Sequence, residues 1–332
     1  MNIEACFIEL SSECNLNCIH CYNRGFVQDI LALDSSDIIK GIDHLREFGL
    51  KMVALSGGEP LMYEKLNFVI DKIRENGVEV LLLTNGTIPI EGIISENNIR
   101  NISFLISLDG VSASTSVKVR GCETLSDVES NVRYLQQTKA KAVTLKMTIS
   151  RFNIHEIDDF FVYCTNHDVI PSFGIVSRLG NASTEWLDIG LDIDSYCRAI
   201  SQINYLYNEY RLPYRLSYSN FTCPIADESN PLNILIRFDG QIQPCQLLYN
   251  DEFSIGNITR TPAIQKELVQ NIKEIAKRKS KAKFVGCNKC ISSQLCARGC
   301  IADAFNITGS VDRADGLCQL RRIDTKNIIL GE

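Results

Sequence analysis

Cys14, Cys18 and Cys21 fall within the short run Cys14-Asn15-Leu16-Asn17-Cys18-Ile19-His20-Cys21, close enough for three soft sulfur donors to meet on one loop. Three thiolates can hold a [4Fe–4S] cube through three of its irons and leave the last iron open to another ligand. A tetrahedral zinc site that recruits His20 is the other chemistry this spacing permits. Cys287, Cys290, Cys296, Cys300 and Cys318 crowd the far end, preceded by Cys223 and Cys245, and the chain holds 14 cysteines in 332 residues. A chain of this length buries enough surface to fold without covalent staples, so metal ligation or redox chemistry is expected rather than a disulfide framework.

Those cysteines need a scaffold, and the chain pattern supplies one. The sequence is 45% hydrophobic and 22% charged with a formal net charge of −6, the balance of a globular protein with no general attraction to nucleic acid. No apolar run approaches the ~18 residues that span a bilayer. The start, Met1-Asn2-Ile3-Glu4-Ala5, lacks a basic n-region, so the expectation is a cytoplasmic protein with no membrane partner. Short apolar runs alternate with amphipathic stretches up to Ser177, which predicts parallel strands joined by crossover helices. The strands expected are Ala5 to Leu10, Met52 to Ser56, Glu79 to Thr84, Ile102 to Ser107, Val143 to Ile149 and Ile170 to Val176. Helices are expected near Ser36 to Phe48, Tyr63 to Asn76, Leu125 to Thr138 and Ile154 to His167, with a shorter turn near Glu91 to Asn97. Six such units are fewer than the eight of a closed barrel. Beyond them, Thr184 to Tyr210 and Pro262 to Lys283 read as helices, and Leu232 to Phe238 turns at Asp239-Gly240 into a hairpin. After Val285 cysteines replace apolar periodicity, and such a tail needs covalent or metal cross-links to hold a shape. The domains expected are residues 1–180, a bridging helical region 181–220, and a cysteine-rich domain 221–332.

The cysteine loop after the first strand, followed in register by Gly57-Gly58-Glu59-Pro60, Thr84-Asn85-Gly86 and Ser107-Leu108-Asp109-Gly110 after the next three, resembles the radical S-adenosylmethionine enzymes, whose signature is Cys-x3-Cys-x-Φ-Cys. The resemblance implies an α/β fold, a partial (β/α)6 barrel, with Cys14, Cys18 and Cys21 holding the cofactor-binding cluster. It implies that Gly57, Gly58, Glu59 and Pro60 bind the amino group of the methionine moiety, Glu59 accepting from the ammonium. Thr84, Asn85, Ser107 and Asp109 would contact the nucleoside or methionine, His20 would pack near the adenine, and Lys146 and Ser150 would reach for the carboxylate. Read as residues alone, Ser107 and Asp109 serve equally as caps, His20 as a loop side chain, and Lys146 and Ser150 as a solvated strand end.

Cys223, Gly240-x4-Cys245, Cys287-x2-Cys290-x5-Cys296-x3-Cys300 and Cys318 resemble the SPASM extension of the same superfamily, a C-terminal hairpin, helix and cysteine-rich loops. That resemblance implies a first auxiliary cluster on Cys223, Cys245 and Cys300 and a second on Cys287, Cys290, Cys296 and Cys318, three [4Fe–4S] clusters in all. The first would have only three thiolates, its fourth position open, taken by Asp227, or absent in a smaller cluster. A zinc-bound tail is the bland reading of the same cysteines. Of the rest, Cys6 and Cys164 read as packed hydrophobes, and Cys197 is the nearest cysteine upstream of Cys223. Cys122 reads as a small loop residue or a hydrogen-atom donor. The basic run Lys266, Lys273, Lys277, Arg278, Lys279, Lys281 and Lys283 reads as a solvated helix face or a dock for an acidic partner.

The function these resemblances imply is reductive cleavage of S-adenosylmethionine to a 5′-deoxyadenosyl radical that abstracts a hydrogen atom from a precursor peptide, giving a thioether or C–C cross-link or an oxidation. The partners implied are that peptide, a flavodoxin or ferredoxin-type reductant and, because the chain starts almost at its first strand, a separate peptide-recognition protein. The alternative is a dehydrogenase or epimerase acting on a small molecule such as a sugar or antibiotic precursor. A non-catalytic scaffold has no use for an ammonium-binding loop.

Overall fold

A computed structural model describes residues 2–24, 29–214, 216, 223–226, 230–282, 284 and 287–330. Nine strands form one sheet: β1 (Ile3–Glu9), β2 (Met52–Ser56), β3 (Glu79–Thr84), β4 (Ser103–Ser107), β5 (Ala142–Ile149), β6 (Ile170–Ile175), β7 (Leu232–Ile236), β8 (Gln241–Gln243) and β9 (Gly256–Asn257), ordered β6-β5-β4-β3-β2-β1-β7-β8-β9. The first six are parallel neighbours, β7 adds to β1 in parallel register, and β8 and β9 follow antiparallel. The sheet therefore stays open, with β6 and β9 at its edges. Strands covered on both faces are near-continuous apolar runs, and Val53, Ala54 and Leu55 of β2 are fully buried.

The helices of the barrel part are α1 (Ser35–Arg46), α2 (Leu66–Glu75), α3 (Glu96–Ile99), α4 (Ala113–Arg120), α5 (Leu125–Thr138) and α6 (Ile157–Asn166). Those of the remainder are α7 (Asn181–Thr184), α8 (Trp186–Ile189), α9 (Ile193–Glu209), α10 (Lys266–Ser280), α11 (Ile301–Thr308) and α12 (Cys318–Leu330). The periodicity rule misses α4, because Ala-Ser-Thr-Ser-Val-Lys-Val-Arg carries no apolar stripe. Its ends make it instead: Ser112 Oγ accepts the Thr115 N–H at 3.2 Å, and Gly121 closes it at φ +88°. The stretch expected as one helix from Thr184 to Tyr210 starts on the last residue of α7 and divides into α8 and α9, with Asp192 recapping α9 by accepting the Ser195 N–H at 2.7 Å. The stretch expected as one helix from Tyr63 starts at Leu66 after a 3-10 turn, Pro60–Met62, and the turn near Glu91 becomes α3. The tail expected as loops contains α11 and α12.

One hydrophobic core runs from β1 to β6 and on through Leu248, Ile264, Ile272 and Ile301, so the C-terminal segment packs on the barrel part rather than beside it. Each such side chain contributes roughly 1.5–3 kcal/mol by leaving water. Cys6 and Cys164 are fully buried within that core. Among the described residues no helix is long and apolar enough to cross a membrane.

Candidate active site and cysteine clusters

Parallel strands expose their carboxyl ends on one edge, and the loops leaving β1 to β6 converge there on a cavity of about 320 Å³. Cys14, Cys18, His20 and Cys21 line it from the first loop, Gly57 and Gly58 from the second, Thr84 and Asn85 from the third, Ser107 from β4 and Lys146 from β5. The loop of three cysteines is tied down along its backbone. Gly58 and Glu59 donate their N–H groups to the carbonyls of Ser11 and Glu13, each at 2.7 Å, and a Cβ on Gly58 would collide with the Glu13 carbonyl. Asn23 Nδ2 donates to the Gly57 carbonyl at 3.0 Å, Arg24 to the carbonyls of Cys14 and Leu16, and Asn181 to that of Cys18.

The three thiols are half-buried on one cavity wall as well as held. Burial pushes the thiols of Cys14, Cys18 and Cys21 up, and Cys18 reaches about 12 with the charges of Asp109, Cys21 and Cys14 adding to burial and that of Arg120 opposing it. Without a cation the three would stay protonated; a bound metal supplies the charge that keeps them as thiolates. His20 turns its Nε2 to Asp109 Oδ2 at 2.7 Å, so that nitrogen is engaged away from a metal. A donor set of three soft sulfurs, with this imidazole occupied elsewhere, fits an iron–sulfur cube better than a four-ligand zinc site.

Other expected residues stand elsewhere. The Glu59 carboxylate, 1% exposed, accepts from Thr84 Oγ1 and the Asn85 N–H at 2.7 Å and from the Leu61 N–H at 3.0 Å, and lies outside the cavity lining. It anchors the second loop to the third. Pro60 opens the 3-10 turn behind it. Asp109 is fully buried under the floor, paired with Arg120 at 2.6 Å and accepting the Thr148 N–H at 2.8 Å. Burial would raise its carboxyl, but Arg120 and His20 outweigh that and hold it well below the usual range. Ser150 belongs to the turn after β5, where its N–H and hydroxyl donate to Asn153 Oδ1, and it does not line the cavity. Cys122 is also outside the lining, its carbonyl accepting from Ser116 Oγ.

Several lining residues went unmarked in the sequence: Tyr22, Arg120, Thr148, Val176, Gln246 and Leu247. Arg120 closes a helix that periodicity does not reveal. Thr148 has a signal, since it follows Lys146 by two along β5 and so faces the same way. Gln246 and Leu247 come from the other end of the chain, immediately after Cys245.

The C-terminal cysteines form two groups. Burial pushes Cys223, Cys245 and Cys300 up, Cys300 to about 12; Cys245 also responds to the charge of Cys223, Cys300 to those of Cys223 and Cys245, and Lys279 draws Cys223 back. Cys300 caps α11, its sulfur accepting the Asp303 N–H at 3.5 Å. Cys287, Cys290, Cys296 and Cys318 line a second, small cavity of about 90 Å³ together with Arg298, Arg321 and Arg322. Asp227 lies outside the described residues. On the basic helix Lys266, Arg278 and Lys281 are exposed, Lys279 is 1% exposed, and Lys283 lies outside the described residues.

Residues 8–164 match the Radical SAM superfamily. The Fe-coproporphyrin III synthase of Methanosarcina barkeri is 30% identical over 156 residues, 46% of this chain and 38% of that protein. The GTP 3′,8-cyclase of Limosilactobacillus fermentum is 24% identical over 270 residues, 76% of this chain and 81% of that one. Mycofactocin maturase MftC of Mycobacterium tuberculosis is 21% identical over 321 residues, 93% of this chain and 81% of that one. The chain thus spans about two-fifths of the first of these relatives and four-fifths of the others. Among solved structures, Streptococcus suis SuiB bound to S-adenosylmethionine superposes with a TM-score of 0.76 at 15% identity, covering 96% of this chain and 77% of SuiB. Native anSMEcpe with bound AdoMet gives 0.74 at 18%, covering 98% and 97%. Both share the fold along nearly the whole chain, C-terminal segment included. The cysteine loop on its open parallel sheet and most of the lining of the cavity it faces lie within residues 8–164, and it is this part of the chain that matches the Radical SAM superfamily.

Proposed function

We propose that the chain is an iron–sulfur enzyme of the Radical SAM superfamily that modifies a peptide, with two auxiliary iron–sulfur clusters on its C-terminal cysteines. One observation carries the reading: Cys245 of the first C-terminal trio is followed directly by Gln246 and Leu247, which line the same cavity as Cys14, Cys18 and Cys21. A cluster on Cys223, Cys245 and Cys300 then stands beside the wall against which a substrate lies, and three thiolates leave it a position for a substrate thiolate. The second quartet has its full complement of four sulfurs. Several neighbours in fold support the choice of substrate: SuiB has been solved bound to its precursor peptide SuiA, and anSMEcpe with a Cp18Cys peptide.

Cluster and S-adenosylmethionine, when bound, supply one-electron cleavage of a sulfonium carbon–sulfur bond. Gly57 and Gly58 let the backbone approach the methionine moiety, Lys146 offers an ammonium to its carboxylate, and Thr84, Asn85 and Ser107 offer hydrogen bonds along the strand ends. Glu59 acts through the loops it joins. The similarity to GTP 3′,8-cyclases favours a second reading, a small-molecule substrate. Among the described residues, however, the lysine and arginine lining the cavity are Lys146 and Arg120, and Arg120 is already paired with Asp109. A nucleoside triphosphate would meet there no lysine or arginine beyond the one given to the methionine carboxylate and the one paired with Asp109, which weighs toward the peptide.

Cys18→Ala in the anaerobically reconstituted protein is expected to abolish 5′-deoxyadenosine formation; persistence of that product would place the cofactor elsewhere. Mass spectrometry of a cysteine-containing precursor peptide after anaerobic co-expression is expected to show loss of two hydrogens. An unmodified peptide beside a small molecule consumed with the cofactor would favour the second reading.

A further inference from the structure

The apolar stripe of α10 is Val269, Ile272 and Ala276, and the next position on that face is Lys279. A lysine there must find partners inside the protein. Its Nζ donates to the carbonyl of Cys300 at 3.1 Å and to that of Arg313 at 2.9 Å. The N–H of the same Cys300 donates to Asp315 Oδ2 at 2.9 Å. Asp315, 4% exposed, takes both terminal nitrogens of Arg321, 1% exposed, Nη1 at 2.9 Å and Nη2 in a shorter contact. Arg321 Nη2 in turn lies 3.7 Å from the sulfur of Cys318. A chain of hydrogen bonds thus runs from an ammonium, through the backbone of one cysteine of the trio, to a carboxylate and a guanidinium against one cysteine of the quartet. Room for it depends on Gly299, at φ +73°, where a Cβ would collide with Asp315 and Arg321.

We propose that Lys279, Asp315 and Arg321 form a buried charge bridge that lies between the two auxiliary clusters and sets their reduction potentials together. The proposal rests on the two-cluster reading above. Reduction adds an electron to each cluster, and a buried positive charge favours the reduced form more strongly than the same charge in water. Lys279 acts on the trio and Arg321 on the quartet, with Asp315 opposing both and locking their geometry. Neither cation can be screened by salt as a surface charge is. The arrangement raises the readiness of both clusters to accept an electron while keeping the net buried charge of the bridge at a single positive unit.

The experiment is an EPR-monitored redox titration of the anaerobically reconstituted full chain. Lys279→Gln, which can still reach the Cys300 carbonyl without a charge, is expected to shift the trio's one-electron equilibrium about tenfold toward the oxidised form, about 59 mV. Lys279→Arg is expected to restore most of that shift. Asp315→Asn is expected to move both auxiliary potentials the opposite way, and the Cys14 cluster should keep its potential in every variant. Unshifted potentials in a variant that retains its iron, or loss of auxiliary iron from both Lys279→Gln and Asp315→Asn, overturns the bridge. Wild-type protein whose iron and signals account for the Cys14 cluster alone overturns the two-cluster reading instead.

Discussion

Single side chains in this protein do their work by being denied water. Glu9, at the end of β1, is fully buried behind the cysteine loop, where its Oε2 accepts from Tyr249 Oη at 2.9 Å. Burial pushes its carboxyl from the ordinary 4.5 up to about 7, in spite of the hydrogen bonds and the Arg237 charge that pull it back. The folded chain therefore holds that proton more tightly than the unfolded one. This stabilises the fold fully below pH 4.5, and the contribution is lost as pH rises through about 7. Glu9→Gln keeps the hydrogen-bonding shape and removes the titration. Urea unfolding across this pH window should show the wild type losing up to ~3 kcal/mol relative to the variant. Parallel curves for the two proteins would show that Glu9 is charged in both states. The same denial of water explains why Cys14, Cys18 and Cys21 need a cation to share.

At the scale of elements, the floor of the cavity is held by one carboxylate. Asp109 joins the end of β4 to the last residue of α4 through Arg120, to β5 through the Thr148 N–H, and to the cysteine loop through His20. The Ile19 N–H donates to the Val119 carbonyl at 3.0 Å, so α4 also touches that loop directly. Arg120→Met leaves a fully buried carboxylate short of its main partner and should cost about 3–5 kcal/mol in stability. S-adenosylmethionine binding should weaken with it, and calorimetric titration alongside chemical denaturation measures both. Adding Asp109→Asn to Arg120→Met should recover part of the stability; a double variant no better than the single would mean that Arg120 matters for its packing and not for its charge.

For the whole molecule, the decisive feature is that β7 extends the barrel sheet from β1, residue by residue from Ala5 opposite Asn233 to Ile8 opposite Ile236. Cys223 and Cys245 flank β7 and β8 of the same sheet as the cavity, and Cys223, Cys245 and Cys300 belong to or pack on its core. Three cubes on the cysteines described would load about twelve iron atoms per chain. Cys290→Ala should lower this to about eight, leave cofactor cleavage intact and prevent the finished product, as iron analysis and peptide mass spectrometry would show. Unaltered product would remove the second auxiliary site from the reaction.

The repeating strand-and-helix pattern of the first 180 residues was readable in the chain because hydrophobic period and turn residues are local properties, and β2, β3 and α5 lie where that pattern puts them. The three-cysteine loop was readable for the same reason, since its donors are close in sequence. The protein partners of Glu59 and Asp109 were not. Each is a carboxylate that the resemblance assigns to the cofactor, and only folding shows its oxygens accepting from Thr84 and Asn85, or paired with Arg120 and His20. Lys279 looked like one cation in a solvated run, although its spacing from Val269, Ile272 and Ala276 marked it as inward-facing. Sequence determined which chemical groups this protein owns and roughly which elements carry them. Tertiary structure decided which of those groups remain free to meet a ligand, because a buried polar atom must be satisfied by whatever the fold brings within reach, and that partner lies far away along the chain.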